Sequence, residues 1–123
     1  MDKDTVKNGK IEVIYHKGKR IIYADFTGLS ADHFIKAIAE MEDQSLSSPE
    51  KNILHLLNFT DCWMNNEAKE RADKMMKKLM GAGFTVKTAG FGAARVQGVI
   101  ARGVKSDMYI GRTKADALEQ LTD

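Results

Sequence analysis

The pattern of apolar and polar positions near the start of the chain indicates a β-hairpin. Ile11–Tyr15 and Arg20–Phe26 are short runs rich in β-branched and aromatic residues, which favour strands. His16–Lys19, between them, is mostly polar and includes a glycine, as a tight turn requires. The sequence therefore predicts two antiparallel strands joined by a short turn.

The middle of the chain is typical of a strand followed by a helix. Ile53–Phe59 is apolar almost without interruption, which predicts an interior strand with both faces covered. Glu67–Met80 repeats apolar residues at helical spacing and carries its charges on the opposite face. The apolar stripe of this helix contains Ala68, Ala72, Met75, Met76, Leu79 and Met80. Gly81 and Gly83 follow it and are suited to ending a helix.

A further helix is predicted between the hairpin and the central strand. Ser30 is a good N-cap, and Asp32 suits the first turn of a helix. Helical spacing is followed by Phe34, Ile35, Ile38, Ala39 and Met41 or Glu42, with the apolar positions on one stripe. Gln44–Glu50 contains three serines and a proline, and it is predicted to be a loop.

The last third of the chain alternates strands with helices. Thr85–Phe91 predicts a strand, Ala94–Lys105 a helix and Met108–Ile110 a short strand. Thr113 is the predicted cap of a last helix, with Asp116 in the capping-box position. The core face of that helix comprises Ala117, Leu118 and Leu121. The order β-β-α-β-α-β-α-β-α predicts an α/β fold with a mixed sheet of about five strands and packed helices.

The composition fits a small cytoplasmic protein. By length, residues 1–123 are expected to form a single domain, with residues 1–9 as a loose N-terminal segment. Cys62 is the only cysteine, which excludes an internal disulfide and fits a reducing compartment. We expect no signal peptide and no membrane span, because no apolar run approaches the required length. The net charge is +2, and the basic residues lack interleaved aromatic residues, so nucleic-acid binding is not expected.

Three stretches of the chain resemble a known family: Gly18–Leu29, Asn58–Asp61 and Thr113–Leu121. In them the sequence is similar to the SpoIIAA-like proteins of the STAS/SEC14-like group, named after the sporulation anti-sigma-factor antagonist. The resemblance covers nearly the whole chain. It implies a small α/β sandwich that binds proteins or ligands without catalysis.

The resemblance also directs attention to the turn after the central strand. In the sporulation antagonist, a partner kinase phosphorylates a serine at the start of the helix that follows this turn. The matching turn here reads Asp61-Cys62-Trp63-Met64, and no serine follows Asp61. Thr60, the nearest hydroxyl, precedes the aspartate. The phosphorylation switch is therefore not expected in this chain.

A contact surface is predicted where the chain leaves the central and fourth strands, because α/β proteins bind ligands beyond the carboxyl ends of parallel strands. The two loops concerned are Asp61–Asn65 and Gly90–Arg95. A tryptophan in a turn is a natural contact anchor, and an arginine at a helix start adds positive charge where backbone N–H groups favour anions. The candidate binding residues are Asp61, Cys62, Trp63, Met64, Gly92 and Arg95.

The function best supported by the sequence is a non-catalytic binding or regulatory module that contacts a protein partner or a second copy of itself. The alternative is a binder of a small anionic or lipid-like ligand. In that case Trp63 and Met64 would supply apolar contact and Arg95 would contact the anion. Simple packing of Trp63 over the helix start is the plainer interpretation.

An enzyme that uses Cys62 as nucleophile and His55 as base is a third hypothesis, which only proximity in sequence supports. Cys62 is more often expected as a small apolar filler, and His55 as a hydrogen-bonded histidine of the sheet. The histidines His16, His33 and His55 lack metal-ligand spacing. Gly90–Arg95 lacks the dinucleotide and P-loop signatures. No metal and no cofactor is therefore expected.

Overall fold

A computed structural model describes residues 10–62, 65–92 and 109–123 of the chain. The strands are β1 (Lys10–His16), β2 (Lys19–Asp25), β3 (Asn52–Asn58), β4 (Thr85–Phe91) and β5 (Tyr109–Gly111). The helices are α1 (Ala31–Leu46), α2 (Asn66–Gly81) and α3 (Lys114–Thr122). The predicted helix Ala94–Lys105 and the predicted loose segment 1–9 lie outside the described residues.

The strands form one mixed sheet in the order β1-β2-β3-β4-β5. β1 runs antiparallel to β2, whereas β2, β3, β4 and β5 are parallel to one another. Helix-length connections are what allow neighbouring strands to run parallel, and α1 and α2 are two such connections. The predicted mixed α/β sheet is confirmed.

The predicted hairpin is a two-residue turn. Lys17 has a φ of 53° and Gly18 a φ of 76°, the pair of positive values that matches the twist of the flanking strands. β1 pairs with β2 without interruption from Lys10 opposite Asp25 to His16 opposite Lys19. The turn therefore sets the register of the whole strand.

β3 is the central strand, and both of its faces are covered, as predicted. Ile53 and Leu57 point into a core shared with α1 and α2. Leu56 points the other way, into a second core shared with α3. Helices thus lie on both faces of the sheet.

α1 is longer than predicted and continues to Leu46, so the loop begins at Ser47 rather than at Gln44. Two residues explain the difference. Leu46 packs against the core, and the buried Ser45 hydroxyl donates to Met41 O at 2.8 Å. Ala39, predicted on the apolar stripe, is exposed, while Ala37 is buried in its place.

The caps of the helices follow the sequence closely. The Ser30 hydroxyl accepts from His33 N at 3.4 Å, and the Asn65 side chain accepts from Ala68 N at 2.8 Å. Thr113 Oγ1 accepts from Asp116 N at 3.1 Å, which confirms the predicted cap of α3.

Most of the predicted α2 stripe is buried, but its last member is not. Ala68, Met75 and Leu79 lie in the core, and Met76 packs against it. Met80 is 46% exposed although its neighbour Leu79 is fully buried, so Met80 lies on the solvent side of the last turn. The prediction that Met80 belongs to the core face is therefore wrong.

Candidate functional site

The end of β2 is shaped by an aspartate that folds the chain back on itself. Asp25 Oδ1 accepts from Thr27 N at 3.0 Å and from Thr27 Oγ1 at 2.6 Å. Gly28 then adopts a φ of 73°, a conformation that glycine reaches without strain. A side chain that bonds the backbone two residues later makes a compact turn, so this loop is held by its own polar groups.

The same turn occurs at the end of β3. Asn58 Oδ1 accepts from Thr60 N at 3.0 Å and from Thr60 Oγ1 at 2.6 Å. Asp61 follows with a φ of 52°, the position that Gly28 occupies in the first turn. Asp25 and Asn58 are register partners in adjacent strands, so the two turns lie side by side.

Backbone hydrogen bonds join these turns beyond the last paired residues of the strands. Phe26 N donates to Asn58 O, and Gly28 N donates to Thr60 O, each at 2.9 Å. Phe59 N donates to Phe91 O at 2.9 Å and links the second turn to β4. The three strand ends therefore form one continuous rim, which we call the carboxyl rim and define as residues 25–28, 58–62 and 91–92.

Gly92 completes the carboxyl rim because no other residue fits there. Its φ is 75°, and a Cβ on it would overlap the side chain of Thr60. The same Cβ would lie 3.0 Å from Thr60 N and 3.2 Å from Thr60 Cα, so the backbone also leaves no room. Of the candidate binding residues, Gly92 is thus a packing requirement of the rim as well as part of its surface.

Cys62 faces inwards. Its side chain is 3% exposed, and burial raises the pKa of its thiol to about 12. A thiol that stays protonated at neutral pH is a poor nucleophile. Its backbone N–H donates to Phe59 O at 3.0 Å, which tightens the second turn. This environment matches the interpretation of Cys62 as apolar filler beneath the carboxyl rim.

The histidine invoked as a base for Cys62 is engaged elsewhere. His55 is fully buried in β3, and its Nε2 lies 2.9 Å from Ser45 Oγ. Burial lowers the pKa of His55 to about 3, so the ring is neutral at pH 7. The predicted hydrogen-bonded histidine of the sheet is confirmed.

Two side chains that were not among the predicted site residues, Tyr23 and Lys114, lie beside Asn58 of the carboxyl rim on the α3 side. Asn58 Nδ2 donates to Tyr23 OH at 3.3 Å, and Lys114 Nζ lies 4.7 Å from the centre of the Tyr23 ring. Burial raises the pKa of Tyr23, so its hydroxyl stays protonated. Lys114 begins α3 directly after β5, so it brings a positive charge to the same edge of the sheet.

Several predicted site residues can be placed, and others cannot. Asp61 is exposed on the carboxyl rim, Cys62 is buried below it, and Gly92 lies against Thr60. Trp63, Met64 and Arg95 lie outside the described residues. β3 and β4 are parallel, as predicted, so the chain leaves both strands at the same edge. A repeated pattern could have revealed the rim: Asp-Phe-Thr-Gly at 25–28 and Asn-Phe-Thr-Asp at 58–61.

Across residues 10–62, 65–92 and 109–123, no three His, Cys, Asp or Glu side chains converge in a way that could hold a metal ion. In the same part of the chain, no helix has the length and apolar character needed to cross a membrane.

Comparison with solved structures identifies the architecture. The chain is similar to an uncharacterized protein of the DUF3478 family from Shewanella loihica PV-4, whose fold is described as SpoIIAA-like. The superposition covers 92% of this chain and 93% of the other, with a TM-score of 0.63 and 15% sequence identity. The chain has a SpoIIAA-like fold. No protein-family model and no curated protein matches it.

The SpoIIAA-like fold agrees with the resemblance that the three sequence stretches carry. The agreement concerns the backbone, since only 15% of the residues are identical. A fold hosts many functions, so the function has to be argued from the carboxyl rim itself.

Proposed function

We propose that this SpoIIAA-like chain is a non-catalytic cytoplasmic binding or regulatory module whose contact surface is the carboxyl rim. One observation carries the proposal. The rim is locked in place by side-chain and backbone hydrogen bonds and by the fit of Gly92 against Thr60. Loops that are already ordered lose little conformational entropy when a partner binds.

The chemistry of the rim supports binding more than catalysis. The thiol of Cys62 is buried and has a raised pKa, and the His55 ring is tied to Ser45. The rim instead offers exposed polar groups, Asp61 and Thr27 among them, on a rigid base. Such a surface suits recognition of another molecule.

Trp63 and Arg95 would complete this contact surface in the proposal. Trp63 belongs to the loop between Cys62 and Asn65, and Arg95 follows Gly92 in sequence. Trp63 would supply apolar area to a protein partner, as anchor tryptophans do. For a small anionic or lipid-like ligand, Arg95 and the nearby Lys114 would supply positive charge.

Native mass spectrometry of the purified chain tests the proposal, because it reports bound molecules and oligomeric state together. We expect Trp63→Ala to reduce the population of the bound species at least about tenfold without changing the melting temperature. Met80→Ala is the matched control, since it removes an exposed apolar side chain far from the carboxyl rim. An adduct of a few hundred daltons would favour the small ligand, and a second polypeptide would favour the protein partner.

The opposite pattern would contradict the proposal. If Trp63→Ala unfolds the protein but spares binding, Trp63 is a core residue and the surface lies elsewhere. If it changes neither binding nor stability, the contact surface does not include this loop.

A further inference from the structure

β1 is the long free edge of the described sheet. Its seven residues pair with β2 on one side, and no described residue pairs with the other side. The strand contains no proline, and its register with β2 is unbroken from end to end. The opposite edge, β5, has only three residues. Proteins often keep edge strands short, bulged or interrupted, and within the described residues β1 is none of these.

The side chains of β1 also leave apolar surface exposed to solvent. Tyr15 is 68% exposed, the largest exposure of any large hydrophobic residue in the described part of the chain. Val13, on the same face, is half-buried, and so is Ile14 on the other face. Another strand can pair with the unpaired backbone groups of such an edge. Its side chains would then cover the exposed aromatic residue and the half-buried β-branched residues beside it.

β1 is complementary to itself in an antiparallel register centred on Ile14. With two copies aligned so that Ile14 faces Ile14 of the second copy, Glu12 stands opposite His16 and Val13 stands opposite Tyr15. Val13 opposite Tyr15 is a β-branched residue with an aromatic ring, a favourable cross-strand pair. Glu12 stands opposite a histidine whose Nε2 also lies 3.6 Å from Glu119 Oε2 of its own chain. A register centred on Glu12 would instead set two carboxylates opposite each other. One centred on Val13 would set Lys10 opposite His16.

We propose that two copies of this chain associate through antiparallel pairing of β1, in the register centred on Ile14, to form one continuous ten-stranded sheet. The unpaired backbone groups of each edge gain partners, and Tyr15 of each copy is covered by Val13 of the other. The dimer surface involves β1 alone, so this proposal is independent of the function assigned to the carboxyl rim.

Sedimentation equilibrium of the full chain over a range of concentrations tests the association. We expect a reversible monomer–dimer equilibrium whose dissociation constant rises at least about tenfold in Tyr15→Lys, which places a solvated charge in each of two cross-strand pairs. Tyr15→Phe is the matched control and should keep the affinity. Circular dichroism melts would establish that both variants are folded.

Disulfide trapping tests the register. The native Cys62 is buried, so a new cysteine in β1 reports its own neighbourhood. Ile14→Cys should form a covalent dimer under mild oxidation, because directly opposite residues have Cα atoms about 4.5–5.5 Å apart. Glu12→Cys should not, because the two copies of residue 12 would be four residues out of register, roughly 13 Å.

Two results would overturn the association. In one, the wild-type chain stays monomeric at all concentrations; in the other, Tyr15→Lys dimerises with unchanged affinity. A chain that dimerises only after removal of residues 1–9 would show that its own N-terminal segment occupies the edge. Efficient trapping of Glu12→Cys but not of Ile14→Cys would overturn the register.

Discussion

Ser45 and His55 form a buried hydrogen bond of 2.9 Å that links the last turn of α1 to the central strand. Ser45 Oγ also donates to Met41 O, and a hydroxyl carries a single proton. The Ser45 oxygen must therefore accept from His55 Nε2–H, which leaves Nδ1 unprotonated. The imidazole is held as one neutral tautomer inside an apolar core, where a positive charge would be poorly solvated.

The first prediction concerns pH. The pKa of His55 falls from 6.5 in the unfolded chain to about 3 in the folded one, because burial disfavours the charged ring. The contribution of the neutral ring to the free energy of unfolding is fully present above pH 6.5 and is lost as the pH falls towards 3. Between these limits the free energy of unfolding should drop by about 1.4 kcal/mol per pH unit from this group. Urea melts across this range measure the slope.

The control for this prediction is His55→Leu, which cannot titrate. The variant should show a flatter dependence of stability on pH between 6.5 and 4.5. An unchanged slope in His55→Leu would assign the acid sensitivity to other groups.

The second prediction concerns the core on the α3 side. Leu56 is fully buried there, so Leu56→Ala should lower the free energy of unfolding by about 2–5 kcal/mol, as truncations in packed cores do. Met80→Ala removes a residue that is 46% exposed and should cost less than about 1 kcal/mol. Chemical denaturation compares the two. Equal losses would mean that α3 does not cover this face of the sheet.

The third prediction concerns the carboxyl rim. Gly92→Ala should lower the free energy of unfolding by about 1–3 kcal/mol, because alanine is strained at a φ of 75° and its Cβ would overlap Thr60. Gly81→Ala is a matched glycine control at the end of α2, where a Cβ meets nothing within 4 Å. It should be neutral or slightly stabilising. Thermal melts of both variants compare their stabilities. An unchanged melting temperature in Gly92→Ala would show that the carboxyl rim can shift to accommodate a side chain at this position.

The fourth prediction concerns an ion pair between the two helices on one face. Burial raises the pKa of Glu42, but hydrogen bonds from Lys78 Nζ at 2.9 Å and Arg71 Nη1 at 3.0 Å outweigh it and hold the pKa below 4.5. Glu42→Gln should lower the free energy of unfolding at pH 7 by about 1–3 kcal/mol. The lower part of that range is expected, because Lys78 is 58% exposed and solvent screens its charge.

The pH dependence of this effect has a definite sign. The contribution of Glu42 is present above pH 4.5 and is lost as the pH falls through its lowered pKa. Glu119→Gln removes an exposed acid that pairs with Lys17 and should leave the melting temperature unchanged. A comparable loss in both variants would mean that the burial of Glu42 adds nothing to its ion pairs.

The sequence by itself determined most of the secondary structure of the described residues and the sheet edge at which the candidate site is proposed. The β-branched and aromatic runs of β1 and β2, the apolar run of β3 and the caps at Ser30 and Thr113 are local signals, which neighbouring residues produce without help from the rest of the chain. The parallel pairing of β3 and β4 also followed, since a helix-length connection requires it. Asp61 and Gly92 were therefore placed at one edge before their contacts were known.

Only the tertiary structure decided where helices end and which apolar side chains are buried. α1 continues through Ser45 and Leu46 because both gain partners in the core, Ser45 from His55 in a strand ten residues away. Met80 has the polarity of a core residue, yet it is exposed, because the last turn of α2 turns Leu79 rather than Met80 towards the core. Cys62 turned inwards, and Gly92 proved to be constrained by Thr60. These outcomes depend on contacts between residues distant in the chain, whose free energies exceed the small differences in intrinsic propensity that a sequence pattern reports.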